Sequence, residues 1–162
     1  MPAGGPWSMI EIIDFDNKYA DDFRQLNLEW LHQYNLTEAH DLELINDPQG
    51  TIINTGGCIF LAKEQDTIAG CAGLMKTKNG EYELVKMAVR ERFRSRGISK
   101  QLLTRCLEEA RQLGAKKVTL LSNHQLERAL HLYKQFGFKD VPVDDSPFEL
   151  ADVKMELVLK AE

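Results

Sequence analysis

Three apolar stretches in the middle of the chain follow one another with almost no room between them. Residues 57–64 (GCIFLAKE) and 67–77 (TIAGCAGLMKT) are separated by Gln65 and Asp66 alone, and Asn79-Gly80 leads from the second into 81–89 (EYELVKMAV). Links that short join antiparallel strands and little else. The hydrophobic period then changes. Over 98–114, Leu102, Leu103, Cys106, Leu107, Ala110 and Leu113 recur at helical spacing, and Gly114 stands where a helix stops. A strand at 116–123 follows, then a second helix at 125–137 with Leu126, Ala129, Leu130, Tyr133 and Phe136 inward, closed by Gly137. A strand–helix–strand unit sets its two strands parallel. Hairpins followed by such a unit imply an α/β fold: a mixed, mostly antiparallel sheet with helices on both faces.

The flanks add to this sheet. Residues 9–16 (MIEIIDFD) hold a short strand, and 18–35 a helix in which Phe23, Leu26, Trp30 and Leu31 share a face. A second helix is expected at 36–47, capped by Thr37 and ended by Pro48 and Gly50. FKDVPV and ADVKMELVL supply the last two strands, for six or seven in all. Residues 1–8 read as a flexible leader or an expression remnant, with Met9 as an alternative start. Residues 9–162 read as one domain, a size that buries a full core.

Charge and cysteines limit the function classes. A net charge of −5 argues against nucleic acid as a partner, and no apolar run is long enough to span a membrane. The cysteines Cys58, Cys71 and Cys106 are odd in number and lack ligand spacing, so reduced buried thiols and a cytoplasmic location are expected. His32, His40, His124 and His131 form no metal-binding spacing with acids or cysteines, and no metal is expected.

Against this acidic background, Arg90, Arg92, Arg94, Arg96 and Lys100 gather at one strand-to-helix junction with Gly97 among them. The first amides of a helix have no intrahelical partner, and the aligned peptide dipoles make that end positive. Glycine lets the backbone turn tightly, and arginine offers forked donors to phosphate oxygens. The junction therefore reads either as an anion site suited to a pyrophosphate or as a solvated basic loop capping a helix. Neither G-x-x-x-x-G-K-[ST] nor G-x-G-x-x-G is present.

The run ELVKMAV, then RFRSRGIS, an amphipathic helix, VTLLSN and ERALHLYKQFGF resembles the GNAT superfamily of acetyl-CoA-dependent N-acetyltransferases. Arg94-Ser95-Arg96-Gly97-Ile98 matches the family's Gln/Arg-x-x-Gly-x-Gly/Ala pattern, with Ser99 in place of the final Gly or Ala. ALHLYKQFGF matches its second signature. The resemblance implies the GNAT fold, with the sheet splayed between strands 4 and 5, and acetyl-CoA as co-substrate. It implies that the amides of Arg94, Ser95, Arg96, Gly97, Ile98, Ser99 and Lys100 cradle the pyrophosphate. Met87, Ala88 and Val89 would pair with the pantetheine arm, Asn123 would contact the cofactor near it, and Lys134 would meet the 3′-phosphate.

The resemblance also assigns chemistry. Periodicity alone makes Tyr133 a core residue of its helix; the resemblance places it beside the cofactor sulfur, where a phenol of pKa about 10 can protonate the leaving thiolate. Glu83 sits in step with Val85, Met87 and Val89, and a carboxylate on an apolar face is a candidate base. Some GNAT branches use a water relay instead, so the base is either. The N–H of Met87 would polarise the thioester carbonyl. The expected reaction is direct attack by a primary amine in a ternary complex; a non-catalytic acyl-CoA sensor is the alternative.

The resemblance further implies that residues 24–50 and 140–152 shape the acceptor pocket. Glu29, Glu38, Asp41, Glu43 and Asp47, with Asp140, Asp144, Asp145, Glu149 and Asp152, are either ordinary solvated acidic faces or a mouth that draws in a cationic amine, and Trp30 and Tyr34 either line its site or simply pack. A small molecule or peptide amine fits equally. Pairing of the apolar C-terminal strands into a homodimer is left open.

Overall fold

The computed structural model describes residues 9–144 and 149–160. The leader (1–8) and Asp145 lie outside them. The strands are β1 (Glu11–Asp14), β2 (Cys58–Glu64), β3 (Thr67–Lys78), β4 (Glu81–Val89), β5 (Lys117–Ser122), β6 (Lys139–Val141) and β7 (Val153–Val158). The helices are α1 (Ala20–Tyr34), α2 (Ala39–Asn46), α3 (Ile98–Gln112) and α4 (Glu127–Gln135). One sheet runs in the order β1-β2-β3-β4-β5-β7-β6. Every neighbouring pair is antiparallel except β4 and β5, which α3 connects in parallel. The edges are β1 and the three-residue β6, so the apolar β7 lies inside the sheet.

The tight turns form as their residues allow. Gln65 turns left-handed (φ 54°) between β2 and β3, and Gly80 does so (φ 79°) between β3 and β4. Alternation along the strands divides the core. Phe60, Leu74, Leu84 and Val89 pack with Leu102, Leu103 and Leu107 of α3 and with Tyr133 of α4. Ile59, Leu61, Ile68 and Val85 pack on the other face with Phe23 and Leu26 of α1 and Leu44 and Ile45 of α2.

Three expectations are corrected. Thr37 does not cap α2; its hydroxyl is buried without a partner, and Glu38 caps instead, in a reciprocal capping box with Asp41. Helix α2 ends at Asn46, just before Pro48 as expected, and a separate π turn at Gln49–Ile53 then buries Ile52. Leu113 leaves the α3 stripe: the helix closes at Gln112 and Leu113 is 46% exposed. Leu31 lies outside the core cluster of α1, whereas Trp30, also half-buried, packs against the cluster that contains Phe23 and Leu26, as expected.

The fourth strand departs from strict alternation. Cys71 faces Ala88 but Gly73 faces Val85, so Lys86 and Met87 share the single position opposite Ala72. Lys86 takes a left-handed conformation (φ 54°), and the Cys71 thiol donates to its carbonyl at 3.0 Å. This β-bulge flips the parity of everything after it. Val85 and Ala88 face the α1 side, while Leu84, Met87 and Val89 face α3. Glu83 is therefore in step with Val85 and Ala88, and not with Met87 and Val89 as a period of two requires.

Candidate active-site cleft

The parallel pair β4–β5 is registered only from Glu81–Lys117 to Leu84–Leu120. Beyond that point β5 continues against β7 through Ser122, and β4 continues against β3 through Val89. The two strands part, so the outward amides and carbonyls of β4 after Leu84 have no strand beside them. A cavity of about 790 Å³ opens in this gap, within the range of about 300–1,000 Å³ usual for small-molecule and cofactor sites. Residues from β4, β5, the basic loop, α1, α2 and α4 line it.

At one end lies the N-terminus of α3. Ser95 (φ 64°) and Gly97 (φ 77°) are both left-handed, and no side chain caps the helix. The first intrahelical bond runs from Gln101 N–H to the Gly97 carbonyl at 3.1 Å. The amides of Ile98, Ser99 and Lys100 thus precede the helical ladder, and these residues line the cleft end. A Cβ on Gly97 would meet nothing within 4 Å, so glycine serves the backbone angle here and not a close contact.

The arginine side chains of the loop do other work. Arg90 donates to the Ile68 carbonyl (2.8 Å) and pairs with Glu29 (3.1 Å). Arg94 reaches the Val89 carbonyl (3.2 Å) and Gln33 (2.6 Å), and its guanidinium lies 4.8 Å from the Trp30 ring centre. Arg96 pairs with Glu64 and stacks on Phe93, on which Arg92 also lies. These contacts brace the loop against α1, β2 and β3. The cationic side chains lining the cleft at this end include Lys100 and, from α4, Arg128, whose Nη1 is 3.5 Å from Ser95 Oγ.

Along the walls lie Tyr133 and Glu83. Tyr133 is buried beside Phe138, with ring centres 5.9 Å apart, and burial pushes its phenol well above the usual range. Glu83 faces Met75 and Thr119 across the ladders. Burial raises its pKa, and the nearby charges of His40, Lys86 and Lys154 pull it part of the way back. Beside it Lys86 forms an ion pair with Asp41, the two side chains 8% and 5% exposed. Trp30 and Tyr34 stand with ring centres 5.2 Å apart on the α1 wall.

The cleft is lined by Trp30, Tyr34, Glu83, Met87, Ala88, Val89, Arg94, Ser95, Gly97, Ile98, Ser99, Lys100, Asn123 and Tyr133, all named from the sequence. Arg96 and Lys134 are not among the lining residues. Arg96 turns to Glu64, and Lys134 is 59% exposed, 3.6 Å from Asp140. The Asn123 side chain is engaged, donating to the Leu150 carbonyl (2.7 Å) and accepting from Gln125 N–H (2.9 Å). The acids expected to draw in cations are largely paired: Glu29 with Arg90, Asp41 with Lys86, Asp152 with His124, Asp140 with Lys134. Sequence reading missed Arg128, which carries no signal beyond its place at the start of α4. It also missed Lys86, whose signal was a charge inside an otherwise apolar strand.

Residues 14–138 match the acetyltransferase (GNAT) family. The chain belongs to that family. A Bacillus subtilis protein described as an uncharacterized N-acetyltransferase, YvbK, is 32% identical over 115 residues, which are 68% of this chain and 74% of YvbK. Of other curated relatives such as ML0378 of Mycobacterium leprae and YsnE of Bacillus subtilis the chain spans less, 25% and 64%. The GNAT fold recurs in an acetyltransferase of Staphylococcus aureus, with a TM-score of 0.85 at 21% identity over 94% of this chain and 100% of that one. YncA of Salmonella typhimurium, solved with its cofactor acetyl-CoA, superposes with a TM-score of 0.77 at 16% identity over 94% and 95%. The splay of this GNAT sheet between β4 and β5 is the feature the family resemblance implied.

Proposed function

We propose that this GNAT protein transfers an acetyl group from acetyl-CoA to a primary amine by direct attack within a ternary complex. The observation that carries the reading is the conjunction in one cleft of an uncapped helix N-terminus, an open strand edge, a buried phenol and a desolvated carboxylate. The cofactor fits what is there. The free amides after Gly97, with Lys100 and Arg128 beside them, suit a diphosphate, and the open edge of Met87–Val89 suits an amide-bearing arm. Acetyl-CoA supplies an activated acyl group when bound.

The chain's own residues divide the remaining work. Glu83 takes a proton from the incoming ammonium, directly or through one water, so that nitrogen can form the new C–N bond. An N–H of the β4 edge, assigned to Met87, donates to the developing oxyanion. As the C–S bond breaks, the Tyr133 hydroxyl gives its proton to the departing sulfur. The phenolate formed there is unfavourable in its buried surroundings and regains a proton, ultimately the second one lost by the amine nitrogen as the adduct collapses to the amide; the first, held by Glu83, passes to solvent. Trp30 and Tyr34 offer an apolar wall to the acceptor. No covalent intermediate on the protein is required.

Two measurements test this reading. Wild-type protein is mixed with acetyl-CoA and a panel of primary amines, and free thiol is followed. Release that depends on an amine is expected; acetyl-CoA binding without release for any amine favours an acyl-CoA sensor instead. For the cofactor end, Arg128→Ala is expected to weaken acetyl-CoA binding ~10-fold by calorimetry, the value of one charge-assisted phosphate contact. Lys134→Ala, which alters the outer side of the same helix, is expected to change it less than ~2-fold. Equal effects of the two would remove Arg128 from the site.

A further inference from the structure

Where β4 and β5 part, the sheet loses the ladder that would hold them at a fixed distance. Yet the two sides of the gap remain tied by a continuous run of hydrogen bonds through other elements. On the β4 side, the Lys86 ammonium at the bulge donates to one oxygen of Asp41, and the other Asp41 oxygen accepts Glu38 N–H at 3.0 Å. The Glu38 carboxylate accepts the Asp41 amide as the cap of α2. It also accepts Glu149 N–H (2.8 Å) and Leu150 N–H (3.1 Å), residues 111 and 112 positions away. On the β5 side, the Leu150 carbonyl accepts from Asn123 Nδ2, and Asp152 accepts His124 N–H at 2.9 Å and pairs with its ring. The belt thus runs from the β4 bulge through the α2 cap and the segment before β7 to the β5–α4 turn. Glu38, Asp41, Lys86, Asn123 and Leu150 all line the cleft.

We propose that Glu38 is a positioning residue: its carboxylate clamps the Glu149–Leu150 backbone to the α2 cap and so fixes the width of the cleft on the side where the amine enters. Capping alone does not account for this side chain. A helix cap needs one acceptor for one or two first-turn amides, and Asp, Asn or Ser serve that purpose at least as well. Glu38 accepts three amides, and two of them belong to a distant part of the chain. An ionised carboxylate has lone pairs enough for all three, and bonds from amides to a charged acceptor are among the stronger ones. The clamp is the belt's single connection between α2 and the segment before β7 among the described hydrogen bonds. Its loss frees that segment to move while both ends of the belt stay anchored. The cofactor end is held separately by the arginine braces of the basic loop.

The inference rests on the acyl-transfer reading for which side the amine enters, and the test separates the two. Glu38→Asp keeps a favoured helix cap but is one methylene too short to reach the distant amides. Glu38→Gln keeps the reach and one of the two carboxylate oxygens. Hydrogen exchange should show the Glu149 and Leu150 amides exchanging at least ~10-fold faster in Glu38→Asp than in wild type, with Glu38→Gln between them. The acetyl-CoA dissociation constant should stay within ~2-fold of wild type in both variants. With the amine that gives most thiol release, Glu38→Asp should raise the acceptor KM ~10-fold while kcat changes less than ~3-fold. Unchanged exchange in Glu38→Asp overturns the clamp. Faster exchange with an unchanged acceptor KM, or with acetyl-CoA affinity lost to the same degree, overturns its role at the acceptor side. The exchange and acetyl-CoA measurements need no turnover, so failure of every amine counts against acyl transfer and leaves the clamp to be decided by exchange.

Discussion

Tyr133→Phe is expected to lower kcat for amine-dependent thiol release by ~10²–10³-fold, the range in which general acids contribute, and to leave acetyl-CoA affinity unchanged. The substitution removes one oxygen and keeps the ring that packs beside Phe138 and the α3 stripe. The hydroxyl makes no hydrogen bond with a described residue, so its loss leaves no partner stranded in the core. The melting midpoint should accordingly stay within about 3 °C of wild type, equivalent to ~1 kcal/mol for a chain of this size. Because burial disfavours the phenolate, the pKa lies above the ordinary 10.0 and the donor stays protonated throughout any practical assay. Wild type should therefore show no alkaline decline from Tyr133 below pH 10. Stopped-flow thiol detection with calorimetry decides the matter: a parallel loss of acetyl-CoA affinity, or a kcat within threefold of wild type (~0.6 kcal/mol), assigns the side chain to packing.

The fold was largely legible because its signals are local. Two-residue links between apolar runs leave no choice but hairpins, and the change from strand to helical period marks β4–α3–β5. Gly80, Gly114 and Gly137 all take the left-handed angles their turns and helix ends require. The errors fall where a distant contact decides. Nothing near Thr37 and Glu38 in sequence tells which one caps α2; amides from Glu149 and Leu150 favour the carboxylate. The bulge at Lys86 is invisible to an alternation count, because Val85, Met87, Ala88 and Val89 are all apolar and either parity fits.

The cleft was legible in outline and not in its charges. Spacing placed the anion site at the start of α3, where the uncapped amides are. It could not show that Arg90, Arg94 and Arg96 would find Glu29, Gln33 and Glu64, partners 61, 61 and 32 positions away. With those arginines used as braces, Arg128 from another helix lines the cleft end, and Lys134 does not. The same pairing occupies many of the acids named for an acidic mouth. Most of the acids named for it are neutralised by neighbours or bound to backbone amides, which leaves Glu83 as the carboxylate whose environment stands out.

Glu83→Gln should slow the enzyme and stabilise the fold, and the two effects share one cause. Burial raises the Glu83 pKa above the ordinary 4.5, against the pull of His40, Lys86 and Lys154. A base must be unprotonated to work, so kcat/KM of wild type falls as pH drops through that raised value, above the pH at which an exposed glutamate would titrate. Gln cannot accept the proton; kcat/KM at pH 8 is expected to fall ~10²-fold, and the acid limb assigned to this group to disappear. For stability, the folded state holds this proton more tightly than the unfolded chain does. Its contribution is present in full below the unfolded pKa and is lost as pH rises through the folded one. Above both values the fold carries a desolvated charge, and glutamine removes that cost. Thermal unfolding should show Glu83→Gln melting above wild type at pH 8, with the gap narrowing toward pH 5. A variant that melts below wild type at pH 8 would mean that its carboxylate is held in place by Lys86 and His40 as a structural ion pair. A variant that keeps both its rate and its acid limb would hand the proton to a water relay.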